Sequence, residues 1–250
     1  RPLLKQIRED SGIKGVILRI DSPGGDSFAS DQIWHDVQLL AKKKPVVVSM
    51  SDAAASGGYY IAMGGGPVVA YPGTFTGSIG VFYGKVNLRG LYDKLGITKD
   101  IIARGRFADI DSSYAPLTPA GREKLAYFVE ETYQTFLRRV ADGRKMQVSQ
   151  VEPVAQGRVW LGSQARENGL VDRLGGIDAA VELVKERAKI ARGEQVRLIG
   201  YPARKSFFEW LTGRSSEPAG EILGKLRSIS TVQWLRGSYF YMAPYTLEVK

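Results

Sequence analysis

Residues 14–26 read KGVILRIDSPGGD, and this stretch decides the architecture. KGVILRI is a short apolar run, the pattern of a strand buried on both faces. Asp21-Ser22-Pro23-Gly24-Gly25-Asp26 breaks it. A helix is predicted over residues 27–43, with Phe28, Ile33, Trp34, Val37 and Leu40 near helical spacing. Pro45 stops it. The same rhythm then repeats. Val46-Val47-Val48 reads as the next buried strand, and the small-residue turn over 51–60 leads into a short helix ending at Gly64-Gly65-Gly66. Strands are expected over 68–71, 79–83 and 97–103, with a short helix over 88–95. Short strands alternating with turns and helices predict an α/β layered fold with largely parallel strands.

Beyond residue 117 the pattern turns helical. Thr118 is placed as N-cap and Pro119 in the first turn of a long helix to about residue 142. Leu125, Phe128, Val129, Thr132, Tyr133, Phe136 and Val140 give it an apolar face. Shorter helices fit 148–156, 163–168 and 177–190. Residues 1–191 therefore read as one domain and 192–250 as a C-terminal extension. In the extension, 196–199 is an edge strand, 206–211 a short amphipathic helix and 212–220 a polar linker. The last thirty residues hold Leu223, Leu226, Trp234, Leu235, Tyr239, Phe240, Tyr241 and Tyr245. That apolar surface is expected to pack on the core, on a membrane surface or, by preference, on a partner subunit.

The chain has 250 residues, 35 Lys+Arg against 26 Asp+Glu, a net charge of +9 and 44% hydrophobic residues. This is a globular profile. Cys is absent, which excludes disulfides, thiolate metal sites and Cys nucleophiles. The single His35 excludes a multi-histidine zinc site. It reads as a surface or packed helical residue, which leaves no histidine base after Ser56. No apolar run approaches the ~20 residues of a membrane span, and no signal segment opens the chain. With an Arg first and a strand almost at once, the chain reads as a piece of something longer. The positive charge suits acidic lipid or nucleic acid, but it is spread out, and Lys42-Lys43-Lys44 reads as a solvated helix end.

Two corners could carry chemistry. At Asp21-Ser22-Pro23-Gly24-Gly25, glycines let backbone N–H groups face a ligand beside a helix N-terminus; the same residues also fit a plain tight turn. At Ala55-Ser56-Gly57-Gly58, a serine between strand and helix has the surroundings of a nucleophile elbow; the same serine also fits a helix N-cap. Together the corners could offer one donor each to a single carbonyl. A serine nucleophile needs a proton acceptor, and without a usable histidine that leaves a desolvated lysine.

In order and spacing, these segments resemble the signal peptide peptidase A family, Ser/Lys peptidases on the Clp-protease/crotonase fold. GVILRIDSPGG (15–25) resembles the substrate-binding and oxyanion segment, SDAAASGGYYIAM (51–63) the nucleophile segment, and TGSIGVF (76–82) the segment whose serine holds the lysine base. GRVWLGSQARENGLVDRLGG (157–176) is also similar. The resemblance covers about 15–189 and implies repeated strand-strand-helix units followed by helical segments. It implies Ser56 as nucleophile, Ser78 as the group positioning the lysine, Gly25 and Gly57 as oxyanion donors, and Asp21, Ser22, Pro23 and Gly24 as substrate-binding residues. Ala108 stands where single-repeat members carry the base lysine. Either the chain is the C-terminal half of a two-repeat member, with its lysine in the N-terminal half, or the lysine has been engineered away. The drift of the residues around Ala108 favours the former, and Lys85 and Lys99 are read as surface lysines. The resemblance further implies leftover signal peptides and other membrane-derived peptides as substrates, and no metal or cofactor. It implies a homotetramer of long subunits, and a bacterial inner membrane with the domain on its outer face, or a plastid membrane. Rival expectations are a crotonase-like acyl-CoA enzyme and a non-catalytic peptide-binding scaffold; nucleic-acid binding rests on charge alone.

Overall fold

The computed structural model describes residues 2–202 and 240–242. A helix, α1 (Pro2–Glu9), precedes the first strand, β1 (Val16–Ser22), where the sequence led us to expect the strand almost at once. There follow β2 (Gly24–Asp26), α2 (Ser27–Ala41), β3 (Val46–Ala55), α3 (Gly57–Ala62), β4 (Val68–Ala70), β5 (Phe75–Gly77) and α4 (Arg89–Lys94). Next come α5 (Pro119–Arg144), α6 (Val148–Val151), a 3-10 turn (Glu152–Val154), β6 (Val159–Leu161), α7 (Gly162–Glu167), β7 (Arg173–Leu174), α8 (Ile177–Arg187) and β8 (Phe240–Met242). Two units divide the chain: Arg1–Tyr83 with Glu123–Glu194 and Ser238–Lys250, and Gly84–Arg122 with Gln195–Gly237.

β3 organises the sheet of the first unit. β1 pairs with it in parallel from Val16↔Val46 to Ile20↔Met50, then skips to Ser22↔Ala54 across a bulge. β4 lies parallel to it at Val48 and Ser49, and β5 at Ala53 to Ala55. β7 extends β4 in parallel, and β6 closes the other edge antiparallel to β5. The α/β expectation therefore holds, with one antiparallel strand in an otherwise parallel six-stranded sheet. Val47, Val48 and Met50 are fully buried. Trp34, Tyr59, Tyr60, Phe136, Leu137 and Val140 surround this strand from α2, α3 and α5 in one apolar cluster.

Caps follow the residue types. Asp26 Oδ1 accepts from Ala29 N at 2.7 Å and caps α2; Thr118 Oγ1 accepts from Gly121 N at 3.0 Å at the start of α5. Helix α2 buries Trp34, Val37 and Leu40, but Phe28 is 71% exposed. At about 100° per residue it falls on the opposite side of the helix from these three. Phe128 of α5 is also exposed. Lys44 is not merely solvated, because its Nζ donates to Asp10 O and Ile13 O at 2.6 and 2.7 Å. The helix expected over 148–156 changes to a 3-10 turn at Pro153, whose ring disfavours continuation.

Three expected strands are absent. The strand forms at Phe75–Gly77, while 79–83 keeps only an isolated bridge at Phe82, because Ser78 turns to φ 47 and ends the strand. Residues 97–103 and 196–199 are irregular, with Ile102 fully exposed and Leu198 largely so. The second unit holds no strand among its described residues for such runs to pair with. The helix expected over 206–211 and the linker over 212–220 lie outside the described residues. Among the described residues no helix is long and apolar enough to cross a membrane.

Candidate active site

Ser56 stands alone between the end of β3 and the start of α3, with φ 52 and ψ −118. An L-residue held there costs about 1–3 kcal/mol. Its backbone is satisfied: N donates to Gly77 O at 2.9 Å, and O accepts from Tyr60 N at 2.8 Å. Its side chain is not. The residue is fully buried, its Oγ makes no capping bond, and no hydrogen-bond partner for it exists among the described residues. Ser56 thus holds the N-cap position of α3, but its side chain does not cap the helix and is left for the elbow.

Ser78 repeats the arrangement one strand over. The pair Ala55↔Gly77 joins β3 and β5 in parallel register, so Ser56 and Ser78 each follow a paired residue on neighbouring strands, which run ~4.8 Å apart. Ser78 N donates to Arg158 O at 2.7 Å, while its Oγ is buried without a partner among the described residues. Thr76, two residues earlier, is ordinary by comparison: its Oγ1 donates to Ala54 O at 2.8 Å.

The two glycine corners meet. A Cβ on Gly57 would lie 2.6 Å from Ser30 Oγ and 3.2 Å from Gly25 N, and one on Gly58 would lie 2.8 Å from Ser22 O. Only glycine permits this approach of the nucleophile turn to the end of β1. Gly24 adopts φ 121, while a Cβ on Gly25 would meet nothing within 4 Å. The corner is also the turn its composition suggests, since Gly24 N donates to Ser22 Oγ at 3.2 Å. Asp21 is exposed, and its Oδ1 accepts from Ala53 N at 3.3 Å, tying β1 to β3.

Other candidates behave differently. His35 is exposed on α2. In the second unit, Ala108 is exposed and its N donates to Gly105 O at 3.3 Å. Lys99 is a surface residue, its Nζ 4.0 Å from the Tyr92 ring centre. Lys85 is not: it is half-buried, and its Nζ is enclosed without a hydrogen-bond partner among the described residues. A stem of four methylenes lets an ammonium end up under cover even in a loop that reads as surface.

A support that sequence reasoning missed holds α3 from behind. Tyr60 OH donates to Asp31 Oδ1 at 2.5 Å, Arg139 Nε donates to Tyr60 OH at 3.2 Å, and the Arg139 guanidinium lies 3.6 Å from the Trp34 ring centre. Burial, followed by the Asp31 carboxylate, pushes the Tyr60 phenol well above its usual range. These residues come from three helices, so no local pattern announces the cluster; the only signal is a tyrosine four residues after the nucleophile candidate.

The family model for peptidase family S49 matches residues 38–191, more than half of the chain. The chloroplastic serine protease SPPA of Arabidopsis thaliana is 44% identical over 197 residues, 78% of this chain and 29% of that protein. Protease 4 of Haemophilus influenzae is 39% identical over 194 residues, 76% of this chain and 31% of its own length. A putative signal peptide peptidase SppA of Enterococcus faecium is 37% identical over 188 residues, 75% of this chain and 55% of its own. The chain thus spans about a third of the first two relatives. With an α/β sheet, a strand-to-helix serine elbow and these similarities, the chain belongs to peptidase family S49, among the signal peptide peptidase A and protease 4 proteins.

Proposed function

We propose that the chain is the nucleophile-bearing C-terminal half of a Ser/Lys endopeptidase whose base lysine comes from outside these 250 residues. One observation carries the reading: the hydroxyls of Ser56 and Ser78 follow one another on adjacent strands, both buried and both without a partner among the described residues. An unpaired buried hydroxyl costs about 1–3 kcal/mol. Two side by side suit a third polar group that both would bond, and a lysine amine fits that place. Ala108 offers no amine at the position where short relatives of this pattern carry one.

In this reading Ser56 Oγ attacks a peptide carbonyl while its proton passes to the neutral lysine amine, which Ser78 Oγ holds in position. The N–H groups of Gly25 and Gly57 stabilise the oxyanion, each worth about 3 kcal/mol. The lysine then protonates the leaving amine. Water, deprotonated by the same lysine, hydrolyses the Ser56 ester and frees the enzyme. The segment 21–25 aligns the substrate as an added strand.

The similarity to a putative signal peptide peptidase supports leftover signal peptides as substrates. The protein would work at a membrane through parts of a longer subunit, on the outer face of a bacterial inner membrane or in a plastid, as a tetramer of such subunits. The test is labelling by a fluorophosphonate probe, with the modified residue mapped by mass spectrometry, in the chain co-expressed with the preceding half of its parent. Modification at Ser56, lost in Ser56→Ala, supports the reading. A folded sample that turns over peptides while Ser56 stays unmodified and replaceable overturns it.

A further inference from the structure

The two N–H groups that the proposed function assigns to the oxyanion sit on separate segments. Gly25 lies in β2, which runs straight into α2, and Gly57 opens α3. Their separation is therefore set by how α2 and α3 lie against each other. At the near end the helices touch through Ser30 of α2. Its Oγ donates to Asp26 O at 2.8 Å and would lie 2.6 Å from a Cβ on Gly57. About one turn along α3 from Gly57, Tyr60 OH donates to Asp31 Oδ1 of α2 at 2.5 Å, and Asp31 is the next residue after Ser30. Tyr60 is also the residue whose N–H donates to Ser56 O, closing the first turn after the nucleophile. All of these residues belong to the first unit.

We infer that Tyr60 and Asp31 are positioning residues for the oxyanion site: their hydrogen bond locks α3 to α2 and so fixes the Gly57 N–H relative to the Gly25 N–H. The inference rests on the reading of Ser56 as nucleophile and deepens it. Packing alone does not ask for a tyrosine here. The Tyr60 ring is fully buried, with the Phe136 and Trp34 rings at 5.1 and 6.1 Å between centres, and a phenylalanine would fill the same space. Apolar contact is non-directional, so a ring held only by it can slide. A hydrogen bond prescribes a distance and an angle. Arg139 of α5 completes the lock. Its Nε donates to Tyr60 OH at 3.2 Å, its Nη2 lies 3.4 Å from Asp31 Oδ1, and its guanidinium lies on the Trp34 ring. The phenol oxygen thus gives its proton to one helix and accepts one from another.

The nucleophile turn needs such a hold. Ser56 sits at φ 52, and its side chain makes no bond among the described residues that would resist relaxation. Backbone strain of this kind persists only where the surroundings over-determine it. Two backbone bonds hold the residue, one to Gly77 O and one from Tyr60 N. The second is anchored only as firmly as Tyr60 itself. A reacting group displaced by about 1 Å can lose roughly 10²-fold in rate, so a small rotation of α3 is enough to matter.

The test is Tyr60→Phe, which keeps the ring, in the chain assembled with the preceding half of its parent. kcat should fall roughly tenfold or more, while KM stays within about twofold. Affinity for a peptide aldehyde should fall by the same factor as kcat, because its adduct with Ser56 places an oxyanion between the two N–H groups. Asp31→Ala should match Tyr60→Phe, and the double variant should be no slower than either single one, since all three lack the same bond. Asp31→Asn keeps an acceptor for the hydroxyl and should recover most of what Asp31→Ala loses. A lower melting temperature with kcat per folded molecule unchanged would mean a role in stability alone and overturns the inference, as does a loss carried by KM. An active parent that depends on Ser56, with a Tyr60→Phe form equally fast, overturns this inference alone. A folded parent that cleaves peptides without Ser56 overturns the peptidase reading beneath it.

Discussion

Two places in the first unit gather polar groups, and they treat them oppositely. Beside β4, Arg144 donates to both oxygens of Asp172 at 2.7 and 2.8 Å and to Gly169 O at 2.8 Å; Val68 N donates to Asp172 Oδ2 at 2.7 Å, and Tyr59 OH to Leu170 O at 2.8 Å. Burial alone would raise the Asp172 pKa, but Arg144 and the Val68 N–H outweigh it and hold the carboxyl below its usual range. Eight residues on from Val48, the strand partner of Val68, and just past the end of β3 lies Ser56. There, like Ser78, it keeps a hydroxyl out of water with nothing to bond among the described residues. One cluster is complete and serves the fold. The other is incomplete among the described residues, and under the proposed function a catalytic partner fills it.

The comparison can be broken in several ways. Ser56→Ala should lower turnover and probe labelling at least ~10³-fold while leaving the melting temperature unchanged or slightly higher, since Oγ has no bond to lose among the described residues. A clear drop in melting temperature would mean the hydroxyl is not orphaned after all. Gly57→Ala should cost about 10²-fold in kcat, because its Cβ would displace the turn against Ser30 Oγ and Gly25 N. Ser78→Ala should cost ~10-fold or more, with a shift in the alkaline limb of the kcat pH profile if it positions the base.

At the complete cluster the signs reverse. Arg144→Ala should destabilise by about 2 kcal/mol in a denaturant melt, discounted because the Asp172 side chain is 40% exposed. Turnover per folded molecule should not change. The smallest effect is a pH dependence. The Asp172 pKa is lower folded than unfolded, so its contribution is present above the unfolded value of ~4 and is lost as pH falls through the native value. Acid melts of the parent should lose stability below about pH 4, and Asp172→Asn should flatten that slope.

What could be read from sequence follows the reach of local signals. β1, α2 and the start of β3 were legible because apolar runs and a 3.6-residue period are local, as were the Asp26-Ser27 and Thr118-Pro119 starts. The serine elbow was legible through its small neighbours. β6 and β7, with three and two residues, carry no period to detect. The positive φ of Ser78 moved the pairing upstream of the apolar run at 79–83. The Tyr60–Asp31–Arg139 contacts and the pairing of β8 with β2 join residues distant in sequence, which no window along the chain contains.

The central claim is that the base for Ser56 lies outside this chain. The direct measurement is the rate of fluorophosphonate modification at Ser56 in the folded chain alone, in its Lys85→Met variant, and in the chain assembled with the preceding half of its parent. The account predicts slow modification of the chain alone, no change with Lys85→Met, and an increase of at least ~10²-fold on assembly. Fast modification of the chain alone, abolished by Lys85→Met, would contradict it and put the base at the buried amine of Lys85.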